Sequence, residues 1–293
     1  MPAIDVMDKN LKPTIILITA ILSVSVSSIL IRLCATPPLV IAFYRQSFCL
    51  LFFLPFIGRD RRPVLSRRDY FLLAVSGFFL ALHFATWISS LSYTTVAHAT
   101  LFVDLQPVWA AVLGTLFLRE TLGPLEILAV AVVTTGGVLI MGTGWAKPGG
   151  MLIGDLLALA GGMAGAVYLL IGRFIRHRIS WARYMYSVYY ISAAWLLVFS
   201  ILFHGRLPYA ELRDLPLLIV MALVPGIGGH GLMNLSLRHF KAYVVNTALL
   251  GEPVLATIFA LFLFHEVPEA YFYAGAFFVI AGLVAVFRLQ KTT

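Results

Sequence analysis

Ten apolar runs, each about as long as a lipid bilayer is thick in helical rise, follow one another along the chain. Hydrophobic residues make up 61% of the sequence and charged residues only 12%, whereas soluble domains are about half apolar and about a quarter charged. A soluble core could not cover that much apolar surface, so the sequence predicts an all-α integral membrane protein. The runs occupy residues 13–33, 38–57, 70–90, 94–118, 122–141, 152–175, 181–203, 215–237, 241–264 and 268–288.

The ninth apolar run repeats the fourth. When residues 241–266 are moved back by 146 positions, they fall on residues 95–120 without a gap, and Glu252 falls on its near-isostere Gln106. A repeat of five spans is odd, so the second copy must enter the membrane in the opposite orientation. The sequence therefore predicts ten transmembrane helices in two inverted five-helix repeats, an arrangement typical of secondary transporters that alternate access around a central site. The predicted repeats are residues 1–142 and 151–293.

The lysines and arginines predict how the chain is oriented. With the N-terminus in the cytoplasm, 16 of them fall on the cytoplasmic side and 4 on the other side, and Arg45 lies within the second run. This positive-inside bias predicts that both termini lie in the cytoplasm and that the protein spans the cytoplasmic (inner) membrane. It also explains the net charge of +8 without nucleic acid as a partner, because the basic residues are scattered among short loops.

Two segments carry a resemblance to a known family. They are LQPVWAAVLGTLFLRETLGPLEILAVAVVTTGGVLI at residues 105–140 and GEPVLATIFALFLFHEVPEAYFYAGAFFVIAGLVAVF at residues 251–287. Both resemble the EamA family of the drug/metabolite transporter superfamily, and the likeness extends over almost the whole chain. The resemblance implies a ten-helix exporter of a small metabolite, such as an amino acid, but it does not name the substrate. The chain departs from the commoner pattern at Gln106, where a glutamate is usual.

Polar residues inside the apolar runs are candidates for the transport site, because each is costly in lipid. Arg45 is interpreted either as a counter-charge for a substrate carboxylate or phosphate, or as a structural partner of Asp104 or Glu252. Glu252 is interpreted either as a group that exchanges protons during transport or as a brace of the bend at Glu252-Pro253.

Further candidates lie in the third, fourth and eighth runs. His83 and Trp87 share one helical face, and His230 follows a glycine-rich segment that predicts a helix break or close packing. Asp104 and Gln106 face different ways on a regular helix, so both can line one cavity only if the helix is distorted. We expect a cavity formed mainly by the third, fourth, eighth and ninth runs. The predicted cavity residues are Arg45, His83, Trp87, Asp104, Gln106, Tyr168, His230, Asn234, Asn246 and Glu252.

The seventh run is rich in aromatic residues, which we interpret as an interfacial belt together with lipid-facing side chains. Tyr186 or Tyr190 is the alternative contribution of this run to the cavity. The residues are Trp181, Tyr184, Tyr186, Tyr189, Tyr190 and Trp195.

Motifs of other functional classes are absent from the sequence. It has no HExxH, GxSxG or phosphate-binding loop, and its two cysteines form no disulfide framework. We therefore expect a monomeric carrier without a cofactor or a bound metal, whose partners are the lipid bilayer and a small-molecule substrate. Proton antiport and facilitated efflux both stay open. The alternatives from other classes are an intramembrane enzyme that uses His230 and Asp104, and a membrane receptor or scaffold.

Overall fold

The protein is helical wherever its structure is described. The computed structural model describes residues 2–57, 65–94, 96–118, 122–141, 152–264 and 270–289, and those ranges contain no strand. The helices are α1 (Pro2–Val24), α2 (Ser27–Leu33), α3 (Pro38–Ile57), α4 (Arg67–Ser90), α5 (Val96–Val103), α6 (Gln106–Leu113), α7 (Pro124–Met141), α8 (Leu152–Ile175), α9 (Trp181–His204), α10 (Leu215–Met221), α11 (Leu232–Ser236), α12 (Ala242–Leu249), α13 (Glu252–Phe264) and α14 (Ala270–Leu289). Two π-helical segments, π1 (Gly114–Leu118) and π2 (Ala222–Gly231), and a 3-10 turn (Leu212–Asp214) complete the set.

Seven helical stretches within the described ranges are long and apolar enough to cross a membrane. They correspond to the predicted runs one, two, three, six, seven, eight and ten. The fifth run forms α7, and the fourth and ninth runs are each broken into two shorter helices. The first helix begins at Pro2 rather than at residue 13, so the helical segment at this end is longer than predicted.

The helix breaks recur at the repeat distance. The bounds of α5 and α12 lie 146 residues apart, and so do the first residues of α6 and α13 and those of α7 and α14. Pro107 and Pro253 are each the second residue of the helix that follows the break. Proline lacks an N–H group and clashes with a preceding helical turn, so a helix can begin there but cannot run through unchanged. The local structure of the fourth and ninth runs therefore repeats together with the sequence.

The helices pack in pairs that relate the first five runs to the last five. The helix α7 packs along α14, α4 along α8, α3 along α9, α1 against π2 and α11, and α6 against α12. By run, these pairs are five with ten, three with six, two with seven, one with eight, and four with nine. Exchanging each run for the run five places away leaves this set of pairs unchanged. The pattern of helix pairs is therefore symmetric under this exchange of runs.

Glycines allow the paired helices to approach closely. A Cβ atom on Gly136 of α7 would lie 2.6 Å from the backbone nitrogen of Val279 and 2.7 Å from the carbonyl oxygen of Gly275 on α14. A Cβ atom on Gly162 of α8 would lie 2.6 Å from the carbonyl oxygen of Val103. Small residues at such contacts let membrane helices gain van der Waals attraction. The interpretation of the glycines in the sixth run as packing residues is confirmed.

Polar contacts join the two halves at one end of the bundle, which we name the Thr36 end. The carboxylate of Asp214, just before α10, accepts hydrogen bonds from the backbone N–H groups of Ala35 at 2.9 Å and Thr36 at 2.8 Å. It also accepts one from the Thr36 hydroxyl at 2.7 Å. These three bonds tie the connection between α2 and α3 to the start of the eighth run.

A second set of contacts joins the halves at the opposite end, which we name the Asp69 end. Asp69 at the start of α4 forms an ion pair of 3.4 Å with Arg178, in the turn after α8. Glu126 of α7 accepts a hydrogen bond of 2.6 Å from the Tyr243 hydroxyl and lies 3.7 Å from the ammonium nitrogen of Lys241. Both ends of the bundle are therefore bridged between the halves.

Replacing Gly136 with alanine tests the contact of α7 with α14. We expect Gly136→Ala to lower the free energy of unfolding by about 1–3 kcal/mol, because the new methyl group meets backbone atoms that cannot move aside cheaply. The measurement is the unfolding temperature of the purified protein in detergent. Gly114→Ala is the matched control, since the nearest atom to its added Cβ lies 3.9 Å away. An equal loss in both variants would contradict the packing described here.

Candidate functional site

A small cavity lies where the broken helices meet. Its volume is about 30 Å³, which holds one or two water molecules and no metabolite of amino-acid size. The cavity combines side chains of the first, second, third, fourth, eighth and ninth runs, so the first two runs join the four that the sequence predicted. Seven of the ten predicted site residues line it: Arg45, His83, Trp87, Asp104, Gln106, His230 and Glu252.

The breaks in the fourth and ninth runs position the acidic and amide side chains. Asp104 lies in the turn between α5 and α6, Gln106 is the first residue of α6, and Glu252 is the first residue of α13. All three are buried, and all three line the cavity. The turn supplies the helix distortion that the sequence required before Asp104 and Gln106 could face one cavity.

Arg45 is fully buried in α3 and lines the cavity. Its Nη1 atom donates a hydrogen bond of 3.1 Å to the hydroxyl of Ser27, and its guanidinium carbon lies 4.4 Å from the ring centre of Phe84. Within the described part of the chain, Nε and Nη2 have no hydrogen-bond partner, and Arg45 forms no ion pair with Asp104 or Glu252. Both interpretations of Arg45, as a counter-charge for a substrate and as a structural partner of Asp104 or Glu252, stay predictions.

Ser27 is a site residue that the sequence analysis missed. It begins α2, directly after a break in the first run at residues 25 and 26, and this break brings its hydroxyl to Arg45. The first run contains several serines without a periodic pattern, so the sequence holds no signal that distinguishes Ser27 from the others.

Aromatic rings cluster on one side of the cavity, and we name this group the aromatic wall: His83, Trp87 and His230, which line the cavity, and Phe84, which packs behind them. The ring of His83 stacks on Trp87 with ring centres 6.0 Å apart and lies 5.6 Å from His230, which in turn lies 5.0 Å from Phe84. His83 uses Nδ1 in a contact of 2.9 Å with the carbonyl oxygen of Gly161. Among the described residues, Nδ1 of His230 and Nε1 of Trp87 have no hydrogen-bond partner.

The two histidines do not complete a metal site. A search of the described ranges finds no group of three or more His, Cys, Asp or Glu side chains that could hold a metal ion. The side chain of His98, which the sequence analysis also weighed, lies outside the described residues.

Three predicted site residues lie behind the cavity rather than on it. Asn234 donates a hydrogen bond of 2.9 Å to the hydroxyl of Tyr168, whose ring centre lies 6.4 Å from that of His230. Asn246 donates through Nδ2 to the carbonyl oxygen of Ala242 in its own helix, at 2.8 Å. Tyr168 and Asn234 therefore support the aromatic wall from behind, and none of the three lines the cavity.

The glycine-rich segment of the eighth run forms π2, so the expected break is present. Its carbonyl groups receive side-chain donors from neighbouring helices, because a π-helix departs from the usual hydrogen-bond ladder and lipid offers no substitute. Tyr189 donates to the carbonyl oxygen of Gly226 at 3.0 Å, and Trp181 donates to that of Gly231 at 2.8 Å. These bonds hold the segment that carries His230.

The interpretation of the seventh run as an aromatic belt is wrong for several of its residues. Tyr184 and Tyr189 are fully buried, and Trp181 bonds to π2, whereas Tyr190 is 56% exposed and fits the belt. Tyr186 stacks on Tyr190 and does not line the cavity. A signal for burial does exist, since the face of α9 that carries Tyr189 continues in small residues. These are Ser192, Ala193 and Ser200.

Known proteins that are similar to this chain identify its family. A model of the EamA-like transporter family matches residues 11–142 and 152–288. The chain belongs to the EamA-like transporter family. It is therefore a multi-pass membrane protein of a family of transporters, as the resemblance of residues 105–140 and 251–287 to that family predicted.

Individual relatives have low sequence identity to this chain. The pseudopaline exporter CntI of Pseudomonas aeruginosa strain PAO1 is 22% identical over 87% of this chain and 88% of its own length. An uncharacterized transporter of Archaeoglobus fulgidus is 27% identical over 93% of this chain and 95% of its own length. A solved crystal structure superposes with a TM-score of 0.75 over 96% of this chain and 99% of that chain, at 18% identity. This last likeness concerns the fold alone.

Replacing Tyr189 with phenylalanine tests the support of π2. We expect Tyr189→Phe to lower the free energy of unfolding by about 1 kcal/mol, because the carbonyl oxygen of Gly226 loses a buried donor. The measurement is again the unfolding temperature in detergent. Tyr190→Phe makes the same chemical change at an exposed position of the same helix and should leave that temperature unchanged. A Tyr189→Phe variant as stable as Tyr190→Phe would contradict this role.

Proposed function

We propose that the protein is a secondary transporter that exports a small amphipathic metabolite, such as an amino acid, across the cytoplasmic membrane by alternating access. The observation that carries the proposal is the small cavity between the two halves, which side chains from both halves line and which includes buried Arg45, Asp104 and Glu252. Ionisable residues inside a membrane protein face such cavities and mark transport pathways. Membership in a family of transporters supports the same conclusion.

The proposed architecture is ten membrane crossings in two inverted repeats. The seven long apolar helices, together with α7 and the two broken runs, provide ten segments. Discontinuous helices at the interface between repeats are typical of substrate sites in secondary transporters, and this chain has one at each repeat. The positive-inside bias assigns the Asp69 end to the cytoplasm and the Thr36 end to the opposite side.

The contacts at the two ends support alternating access. In the conformation described, the cavity cannot hold a metabolite, and bonds between the halves bridge both ends. Entry of substrate from the cytoplasm would require the contacts of Asp69 and Glu126 to break while those of Asp214 stay intact. Release outside would require the reverse. Because contacts bridge the halves at both ends, we propose that this conformation lies between the two open states.

Export is the proposed direction because one relative is named an exporter, the pseudopaline exporter CntI. We do not propose pseudopaline as the substrate of this chain, since its sequence identity to that relative is only 22%.

The other functional classes receive less support. An intramembrane enzyme that uses Asp104 and His230 is the first alternative, and membership in a family of transporters does not favour it. A receptor or scaffold has no need for three buried ionisable groups around one cavity. Turnover of a solute without net movement across a sealed membrane would identify the enzyme.

The experiment that tests the proposal measures efflux from proteoliposomes that contain the purified protein and a labelled mixture of amino acids and other small metabolites. We expect selective, protein-dependent release of one solute class. Comparing release with and without an imposed pH gradient separates proton antiport from facilitated efflux. If folded protein releases no solute from a broad mixture, the transporter proposal fails.

Glu252→Gln tests whether the glutamate couples transport to protons. If it does, the ratio of release rates with and without the pH gradient should fall to about one, because glutamine cannot exchange a proton. Glu211→Gln is the matched control: it makes the same change at an exposed position of the Thr36 end and should keep the wild-type ratio. A Glu252→Gln protein with full gradient stimulation would assign Glu252 to bracing the bend instead.

A further inference from the structure

A groove of about 290 Å³, which we name the Arg68 groove, lies at the Asp69 end between α4, α8 and the last turns of the fourth run. Seven of its eight lining residues are apolar, and the eighth is Arg68. It shares no lining residue with the central cavity. One of its walls is Phe117 of π1, which is 70% exposed, so the groove lies at the surface of the bundle.

The Arg68 groove has a charged mouth and an apolar floor. Arg68 lies in the first turn of α4, and Leu72 lines the groove one turn farther along that helix. On α8, Phe174 and Val167 both line the groove and lie seven residues apart, which is about 10 Å along a helix. Both helices are long and apolar enough to cross a membrane. The groove therefore extends from the end of the bundle toward the hydrocarbon region of a bilayer.

Arg68 is exposed, and no carboxylate balances its charge within the described ranges. Its guanidinium carbon lies 5.4 Å from the ring centre of Phe174, which holds the charged group at the mouth of the groove. Its neighbour in the chain, Asp69, is paired with Arg178 instead. A guanidinium beside an aromatic ring keeps N–H donors for an anion, and phosphate is a preferred ligand of its planar fork.

We propose that the Arg68 groove binds one anionic phospholipid of the cytoplasmic leaflet, with the phosphate at Arg68 and an acyl chain along the apolar floor. The positive-inside bias assigns this end of the bundle to the cytoplasm, and basic pockets between membrane helices on that side suit anionic head groups. The charged and apolar parts of the groove follow each other inward in the same order as the parts of such a lipid. The site is separate from the central cavity, and the proposal does not depend on transport.

The chemistry of the groove favours a phospholipid over a soluble anion. A soluble anion would contact Arg68 and leave the apolar part of the groove to another molecule. A phospholipid occupies both parts at once, because its phosphate is joined to its acyl chains. The sequence places 16 of the 21 lysines and arginines on this side of the membrane, so the surrounding charge also attracts an anionic head group.

A second groove, at the Thr36 end, lacks the charged mouth. Its volume is about 570 Å³, and its lining includes the hydroxyl groups of Thr86 and Ser89 and the imidazole of His204, but no lysine or arginine. An acyl chain in this groove would bring its phosphate to no arginine or lysine of the lining. We therefore expect selection of the head group in the Arg68 groove and not in this one.

Native mass spectrometry of the purified full-length chain in detergent tests the proposal, because it measures the affinity of the first lipid bound. The probes are dioleoyl phosphatidylglycerol and dioleoyl phosphatidylcholine, which have the same acyl chains. We expect phosphatidylglycerol to bind at least about fivefold more tightly, since one cationic side chain at the membrane surface has about this effect. Equal affinities would overturn the proposal. Glycerol phosphate, which lacks acyl chains, should not displace the lipid, and displacement would identify a soluble-anion site instead.

Substitutions of Arg68 locate the head group. In Arg68→Gln, the ratio of the two lipid affinities should fall to less than about twofold, whereas Arg68→Lys should keep most of it, because an ammonium group also binds phosphate. Arg67→Gln is the matched control: it removes the same charge at the preceding exposed position, which does not line the groove, and should keep the wild-type ratio. An equal fall in Arg67→Gln and Arg68→Gln would show diffuse surface attraction and overturn the assignment.

Val167→Trp tests the apolar floor by filling it. We expect both lipids to bind at least about tenfold more weakly, because excluding about two methylene groups already has this effect. Val198→Trp, at an exposed position of α9 outside the groove, is the matched control. The unfolding temperature is measured first, and Ile171→Phe, at another lining position, replaces Val167→Trp if that variant does not fold. Unchanged lipid affinity in the folded variant would contradict an acyl chain in the groove.

Discussion

The guanidinium of Arg45, fully buried in the centre of a membrane protein, is the constraint around which the site is organised. A charge at the centre of a bilayer costs about 3 kcal/mol on insertion scales. A desolvated contact with an aromatic face returns about 2 kcal/mol, and a hydrogen bond to a charged group returns about 1.5 kcal/mol or more. Phe84 and Ser27 supply these two contacts, so Arg45 can stay buried without an ion pair. Nε and Nη2 stay buried without a hydrogen-bond partner among the described residues.

The rest of the fold makes this arrangement possible. Ser27 reaches Arg45 because the first run breaks before it, and Asp104 and Glu252 face the same cavity because the fourth and ninth runs break at Pro107 and Pro253. Irregular backbone is tolerated inside a membrane only where protein groups satisfy it. Side chains of α9 fulfil that role for π2, and the glycines that bring paired helices together exclude lipid from the breaks.

Much of this could be predicted from the sequence, since hydropathy and the repeat carry long-range information. The offset that aligned Glu252 with Gln106 also relates the bounds of the helices around them. The sequence could not show how side chains meet across runs. Arg45 could have paired with Asp104, and only the packing shows that it contacts Ser27 and Phe84 instead. Tyr189 was misassigned because an aromatic-rich run has the same composition whether its rings face lipid or a glycine-rich neighbour.

The measurement that tests the account most directly is a pair of spin-label distances across the two ends of the bundle. Labels at Leu33 and Leu212 report the Thr36 end, and labels at Tyr70 and His177 report the Asp69 end; all four positions are exposed. The labels are placed in a chain whose cysteines are replaced by alanine, and both distances are followed with changes of pH and added amino acids. The account predicts that a condition that lengthens one distance leaves the other short. Lengthening of both distances together, or of neither under any condition, would contradict alternating access around the central site.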